Sequence, residues 1–327
     1  MKFQHENHQA LIKTKAETYW MRLAVVLLLV CSLASCSIRS LAVNALANSL
    51  AASGDVFASD EDPELIRDAT PFALKTIESL LAEVPQHEGL LLSACQGFVQ
   101  YSYAFVETEA VIQEPTDYRS AQAGYERALK LYLRAKAYCF RALELRLPGF
   151  GLRLEADPIA VLSQVKKEDV DLLYWTGAAW GSAISLAMDR PEILIDLPLV
   201  RRIFDRVLEL DESYARGAVH QALITLDSLP ASMGGSKDRA RQHFERAVEL
   251  SNGKSAGPYL SFAANAAIPS QDIDEFRRLL DRALAVDPDS EPSYRLENLI
   301  SQRRARFLLE HIADYFLDFE PLDEGDS

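Results

Sequence analysis

Apolar residues recur three and four positions apart along nearly every segment after residue 63, which is the period of an amphipathic helix. No segment shows the apolar and polar alternation of a strand. Pro63 and Pro71 are expected to open helices and Pro85 to close one. The pattern predicts an all-α protein with one long helix over Tyr118–Leu147 and another from about Ser293 to Phe319.

Two stretches of sequence repeat with an offset of 40 residues. YWTGA at 174–178 recurs as YARGA at 214–218, and FDRVLEL at 204–210 recurs as FERAVEL at 244–250. Self-similarity at a fixed period is the sequence signature of a repeat architecture. We therefore expect a helix pair that occurs about four times, with loops of uneven length.

The second helix of each unit carries small, large and small residues on one face, as at Ala240, Phe244 and Ala247. This order is typical of tetratricopeptide repeats, although the present unit is longer than the usual length of about 34 residues. Gly177 and Gly217 are expected on the first helices, where a missing side chain lets the partner helix approach closely. The prediction is a right-handed, tetratricopeptide-like stack of irregular helix pairs with a long C-terminal capping helix.

The segment before the repeats resembles an export signal. Its apolar run, Leu23–Ala34, has 12 residues, fewer than the roughly 20 that cross a bilayer. The sequence LASC at 33–36 then matches the bacterial lipobox, in which the cysteine receives a lipid before cleavage. Residues 1–35 are thus interpreted as the signal, with Met21 as the favoured start and Cys36 as the lipid anchor. The alternative is a buried N-terminal helix with an incidental cysteine.

The remaining chain divides into three parts. Residues 36–62 form the lipidated N-terminus and a linker or first helix, 63–320 a single repeat domain, and 321–327 an acidic tail. No apolar stretch after Cys36 is long enough to span a bilayer. Because Ser37 replaces the aspartate associated with inner-membrane retention, we expect an extracytoplasmic protein anchored to the outer membrane.

The composition limits the kinds of partner that the protein can bind, and the positions of its cysteines bear on their redox state. The chain has 48 acidic and 34 basic residues, a net charge of −14, which argues against nucleic-acid binding and broad adhesion to anionic lipid. Cys95 and Cys139 could pair in an oxidising compartment. Both lie in apolar helical patterns, however, which favours two reduced, buried thiols.

No catalytic or metal-binding motif is present. His87, His220, His243 and His311 have no metal-ligand spacing, and the chain lacks the H-E-x-x-H, G-x-S-x-G and C-x-x-C motifs. Isolated histidines in helices are usually packing or surface residues. The sequence therefore predicts neither an enzyme nor a metal or cofactor site, apart from the lipid on Cys36.

Five motifs, in order, carry a family resemblance: LLYWTGAAWG at 172–181, SLPASMGGS at 228–236, HFERAVELS at 243–251, AGPY at 256–259 and QRRAR at 302–306. Together they resemble the T component of tripartite ATP-independent periplasmic (TRAP) transporters, the TatT family. The similarity extends from the lipobox to about residue 316.

The resemblance implies a periplasmic lipoprotein that partners a soluble solute-binding protein, which in turn feeds a permease driven by ion gradients. It further implies a homotrimer whose protomers each have a cleft or pore for a hydrophobic or carboxylate ligand. The alternative is a lipoprotein scaffold that uses a tetratricopeptide groove to hold cell-envelope proteins and binds no small ligand.

Aromatic and basic residues are the candidates for lining the cleft or contacting the partner: Trp175, Trp180, Tyr101, Tyr103, Phe105, Arg303, Arg304 and Arg306. The tryptophan stripe is open to a second interpretation, because helical stripes of this kind often belong to the core. The arginines could likewise bridge acidic neighbours such as Glu297 and Glu310. Arginine also suits the bidentate recognition of a carboxylate.

Overall fold

The computed structural model describes residues 44–45, 48–49 and 54–317. The predicted signal, Cys36 and the acidic tail lie outside these residues. Within them the chain is helical and contains no strand, as expected. None of the described helices is both long enough and apolar enough to cross a membrane.

The first helices show that a proline need not open a helix. Helix α1 covers Gly54–Ala58 and helix α2 covers Pro63–Glu83. Asp62 caps α2 by accepting a hydrogen bond from the Leu65 amide. Pro71 lies inside α2, so its expected role as a helix start is wrong. The buried side chains on both sides of Pro71 hold α2 against the next helix and override the local preference of proline.

The first helix pair is cross-linked. Helix α3, Glu88–Tyr101, continues through a π-helical turn, Ser102–Glu107, into α4, Thr108–Gln113. Helix α5, Tyr118–Arg146, packs against α3 and matches its predicted span to one residue.

A disulfide joins Cys95 of α3 to Cys139 of α5, with 5.5 Å between the Cα atoms. The expectation of two reduced thiols is therefore wrong. The facing sides of the two helices bring both residues to bonding distance inside the core, which the apolar pattern of either helix alone does not reveal.

Short helices α6 and α7 lead from the first pair to the second, which consists of α8 and α10 joined by α9. Helices α11 and α12 form the third pair. The fourth pair combines α13, a π-helical turn and α14 with α15, and α16 follows. Their bounds are α6 Phe150–Ala156, α7 Pro158–Leu162, α8 Val170–Ser185, α9 Pro191–Leu194, α10 Leu197–Asp211, α11 Ala218–Asp227, α12 Lys237–Leu250, α13 Gly257–Phe262, the π turn Ala263–Ala267, α14 Ile268–Ser270, α15 Ile273–Leu284 and α16 Arg295–Glu310.

The two repeated glycines have different roles. Gly177 lies within α8, where a Cβ atom would come within 2.9 Å of the Phe204 ring on α10, as the close-packing argument requires. Gly217 precedes α11 and has a φ of 96°, so its expected place on a first helix is wrong. Ala215 and Arg216 before it also have positive φ. The chain turns there in the left-handed region, and a Cβ at Gly217 would lie 3.0 Å from Leu250.

The C-terminal helix is shorter than predicted. Helix α16 ends at Glu310 rather than near Phe319, and a short 3₁₀ turn, Ile312–Asp314, follows. The chain turns back at this point because Phe316 packs edge-on against Phe276 of α15, with 5.0 Å between ring centroids.

Candidate functional site

Helix α16 crosses the inner side of the stack instead of only capping its end. Arg303 donates to Glu109 of α4 at 2.5 Å, while Asn298 accepts from the Ala256 amide before α13 at 2.8 Å. Arg295 donates to the Ser59 carbonyl after α1 at 2.8 Å. The first and last helix pairs are thus both tied to α16. Helix α16 therefore contacts surfaces of the repeats that an open solenoid would leave free.

Four side chains from three helical segments meet in this interior: Tyr103, Glu107, Tyr132 and Arg304, here termed the interior cluster. The Tyr132 hydroxyl donates to Glu107 Oε2 at 2.6 Å. The Arg304 guanidinium lies over the Tyr103 ring, 5.0 Å from its centroid, and its Nη1 is 3.7 Å from Glu107 Oε1. The cluster therefore combines one cation, one carboxylate and two phenols at the inner surface of α16.

The charge of Arg304 is only loosely satisfied. A contact of 3.7 Å to Glu107 is longer than a charge-assisted hydrogen bond, and Arg304 Nε is buried without a hydrogen-bond partner. Burial would lower the pKa of Arg304, but nearby Tyr103 and Glu107 raise it, so the side chain stays charged. Burial also raises the pKa of Tyr132 and Tyr103, which keeps both phenols neutral. The cluster thus holds a charged guanidinium whose Nε has no hydrogen-bond partner, beside two neutral phenols.

The π-helical turn helps to build this cluster. A π turn bonds residues five apart, so it is one residue wider than a turn of α-helix. Tyr103 and Glu107, which are four residues apart in this turn, both reach the interior. The Tyr103 carbonyl accepts the backbone N–H of Thr108 and also the Thr108 hydroxyl, the latter at 2.8 Å. Turns of this kind are frequent at functional sites.

A small cavity of about 30 Å³, with room for about one or two water molecules, opens near the other end of this face of α16. It is lined by polar residues of the third and fourth pairs and of α16, among them Arg216, Gln221, Ser255, Tyr294 and Glu297. Burial raises the pKa of Glu297, and hydrogen bonds from Gln221 and Ser255 only partly oppose this effect. Glu297 and Arg304 are seven residues apart, so they share one face of α16 at a spacing of about 10 Å.

Among the predicted site residues, the structure brings Tyr103 and Arg304 together. Arg303 lies beside them but pairs with Glu109, and Arg306 points away and is exposed. Arg303 and Arg304 do not form the expected ion pairs with Glu297 and Glu310. The partners are Glu109 and Glu107, which belong to the first helix pair.

The predicted aromatic residues outside the interior cluster are mostly packing residues. Tyr101 and Phe105 are buried, and their rings pack together at 5.9 Å. Trp180 is 4% exposed and its Nε1 donates to Asp196 at 3.2 Å. The Trp180 ring also packs under the Lys136 ammonium, so it belongs to the core between α5 and α8.

Trp175 is partly exposed and packs edge-on against Tyr174, with 5.3 Å between the ring centroids. It is therefore neither fully buried nor part of the interior cluster.

Glu107 and Tyr132 are not among the residues predicted from sequence. Glu297 is predicted only as a partner of the arginines and not as a residue of the cavity lining. Glu107 and Tyr132 lie in helices whose polar positions look ordinary when each helix is read alone. Glu107 contacts α16 through Arg304, which lies 197 positions later in the chain, and Tyr132 joins the cluster through its hydrogen bond to Glu107.

The fold and interior define a tetratricopeptide-like helical-repeat protein that is closed by its own C-terminal helix. The sequence profile of the TRAP transporter T-component family (TAtT) matches residues 59–316. The chain belongs to this family, which consists of accessory components of TRAP transporters. It is also 32% identical over 268 residues to an uncharacterized protein of Treponema pallidum (strain Nichols), covering 80% of this chain and 83% of that protein.

Proposed function

We propose that the protein is an extracytoplasmic accessory subunit, anchored to the outer membrane through Cys36, which docks the solute-binding protein of a TRAP transporter. The proposal includes a homotrimeric assembly and a ligand bound in the interior of each protomer. The ligand has a carboxylate that meets Arg304 and an apolar body that packs on neighbouring aromatic rings. No catalytic step is assigned to the protein.

The observation that carries the ligand proposal is the unused hydrogen-bonding capacity of Arg304. Its guanidinium faces the interior, contacts Glu107 at 3.7 Å and leaves Nε without a partner. A planar guanidinium with free donors matches the two oxygens of a carboxylate. The partly exposed ring of Tyr103 supplies apolar surface beside it, whereas the Tyr132 ring is fully buried.

The scaffold alternative has less support. A tetratricopeptide scaffold needs a free concave face for its partner, whereas α16 contacts the inner side of the first and fourth pairs. The buried guanidinium of Arg304 also suits a small anionic molecule better than an extended protein segment.

The ligand proposal is tested with the chain that begins at Ser37, purified without detergent. Native mass spectrometry identifies any bound molecule, and isothermal titration with long-chain carboxylates measures affinity. Arg304→Gln should weaken binding at least tenfold, because a charged hydrogen bond is worth about 1.5–3 kcal/mol. Arg306→Gln is the matched control, since Arg306 is exposed and should leave the affinity unchanged. Equal affinity in the Arg304→Gln variant would contradict the ligand site.

Partner docking requires a separate experiment. The tagged lipoprotein is recovered from native membranes and its companions are identified by mass spectrometry, while light scattering gives the mass of the purified assembly. Recovery of a periplasmic solute-binding protein and a trimeric mass support the proposal. Recovery of envelope-assembly proteins alone would favour the scaffold.

A further inference from the structure

His220 of α11 and His243 of α12 are not isolated histidines. Their Nδ1 atoms are 2.8 Å apart, so one ring donates a hydrogen bond to the other across the third helix pair. The rings are inclined by 45°, with 5.1 Å between their centroids, and His220 is 5% exposed. The expectation that they are unconnected packing or surface residues therefore does not describe them.

Each outer ring nitrogen faces a carboxylate. His220 Nε2 is 3.3 Å from Glu212 Oε1, which follows α10, and His243 Nε2 is 3.3 Å from Asp227 Oδ2 at the end of α11. Asp227 is fully buried. The four side chains form a row in the order carboxylate, imidazole, imidazole, carboxylate.

Counting protons shows what this row requires. Two neutral imidazoles carry two N–H groups on four nitrogens. One N–H is used in the Nδ1–Nδ1 hydrogen bond, which leaves one N–H for the two outer nitrogens. One outer nitrogen of a neutral pair therefore points a lone pair at a carboxylate oxygen. A third proton supplies a donor to both outer contacts as well as the central one.

The missing N–H donor of the histidine pair is not supplied by the charged side chains around it. Arg246 of α12 donates to Glu212 at 2.8 and 2.9 Å, while Arg201 of α10 and Arg239 of α12 each contact Asp227 Oδ1 at 2.9 Å. These arginines already neutralise both carboxylates.

Two further groups complete the surroundings of the pair. Asp205 of α10 lies near Arg201, and burial raises its pKa. Helix α13, which packs against both α11 and α12, has no charged residue, and its titratable Tyr259 packs on Phe244. Three arginines therefore face the two carboxylates of the row, and this positive charge opposes a further proton, whereas the unmet hydrogen bonds of the histidines favour it.

We propose that His220 and His243 form a site for a single shared proton, and that this proton fastens α11 to α12. Uptake transfers one proton from water to the pair and closes all three contacts of the row. A fourth proton would place an N–H on both Nδ1 atoms, which face each other at 2.8 Å, so the row breaks when it binds. The two rings titrate as one unit with two macroscopic steps.

The second step lies at acidic pH. Burial and the neighbouring His243 lower the pKa of His220 to about 4. A histidine with a lowered pKa in the folded state contributes stability that is lost as pH falls from about 6.5, the ordinary value, towards 4. Acidification therefore loosens the contact between α11 and α12.

The same contact supports the interior cavity. Gln221 follows His220 directly and lines the cavity together with Ala247 of α12 and Ser251, the residue just after α12, which lie about one and two turns beyond His243. Separation of the two rings moves both walls. The proton site thus makes the shape of the cavity sensitive to pH, independently of which ligand or partner the protein has.

Nuclear magnetic resonance of the chain from Ser37, labelled with ¹⁵N in its histidine rings, tests the proposal without any substitution. A ¹⁵N–¹⁵N coupling between the two Nδ1 atoms reports the shared hydrogen bond. The coupling should be present at pH 7 and lost as pH falls through about 4, and both rings should shift together over the first step. Absence of the coupling at pH 7, or two rings that titrate independently near pH 6.5, would overturn the proposal.

Substitution gives a second readout. In His243→Gln, the midpoint of His220 should rise by about 1 pH unit or more, because the second ring no longer opposes its protonation. His311→Gln is the control, since that ring contacts Phe307 and its own helix and should leave His220 unchanged. Circular dichroism confirms that each variant is folded. An unchanged His220 midpoint in a folded His243→Gln chain would also overturn the shared site.

Discussion

Gly177 and Gly181 offer a matched test of close packing in the repeat. Both lie on α8, four residues apart, and face α10. An added Cβ at Gly177 would lie 2.9 Å from two atoms of the Phe204 ring and 3.1 Å from Ile203. At Gly181 the nearest atoms would be 3.4 and 3.9 Å away, which is ordinary contact.

The two alanine variants should therefore change stability in different directions. Alanine is better than glycine in a helix interior by about 1 kcal/mol, so Gly181→Ala should stabilise the protein by about that amount. At Gly177 the same gain is opposed by an overpacking cost of about 1–3 kcal/mol. Phe204 and Ile203 are buried and have little room to move. Gly177→Ala should thus range from neutral to about 2 kcal/mol less stable than the wild type.

Urea unfolding, followed by circular dichroism and by tryptophan fluorescence, measures the difference in the free energy of unfolding between the two variants. The comparison requires that the dependence of this free energy on urea concentration is similar in both. A gap of about 1–3 kcal/mol between the variants is the expected result. Adding Phe204→Leu to Gly177→Ala should recover part of the loss, because it removes the atoms that clash. Equal stability of the two single variants would show that Phe204 and Ile203 of α10 move aside without cost, and would contradict the close packing inferred at Gly177.

Three further results are expected. Alanine at both Cys95 and Cys139 should lower the free energy of unfolding by about 2–4 kcal/mol, since the bond closes a loop of 44 residues; unchanged urea midpoints after reduction of the wild type would contradict this. Glu297→Gln should be more stable than the wild type at pH 8 and equal to it near pH 4, because burial raises the pKa of Glu297 and its contribution to stability is lost as pH rises. A less stable variant at pH 8 would oppose that reasoning. Cys36→Ser should yield a folded chain that is extracted without detergent; aggregation of this chain when it is made without its signal would count against an anchor-independent core.

Local pattern was enough to predict the helix pairs. The 40-residue offset and the small and large positions of the second helices identify units that depend on contacts between neighbours. The span of α5 was correct for the same reason. The prediction for the YARGA stretch is wrong because its similarity to YWTGA does not extend to structure. YWTGA lies within α8, whereas Ala215, Arg216 and Gly217 all have positive φ.

The interior could not be predicted in the same way. Tyr103 and Arg304 were both selected, but their contact depends on a helix that returns across the stack, and no local period encodes that path. Glu107 follows Tyr103 at ordinary helical spacing, so only the distant partner Arg304 distinguishes it from any other polar helix residue. The His220–His243 contact likewise depends on how far α11 and α12 are shifted along each other, and the spacing of residues in the sequence does not determine that shift.

The return of α16 has a consequence for the order in which the protein is completed. Its contacts join residues that are 194 and 236 positions apart, as in the Arg303–Glu109 and Arg295–Ser59 bonds. A chain that is made from its N-terminus leaves Glu109 without this partner until almost the whole sequence has been synthesised. The helix pairs can assemble one after another, but the interior forms last. A product cut short before Arg295 would keep most of its repeats but lack Arg304, the cation of the interior cluster.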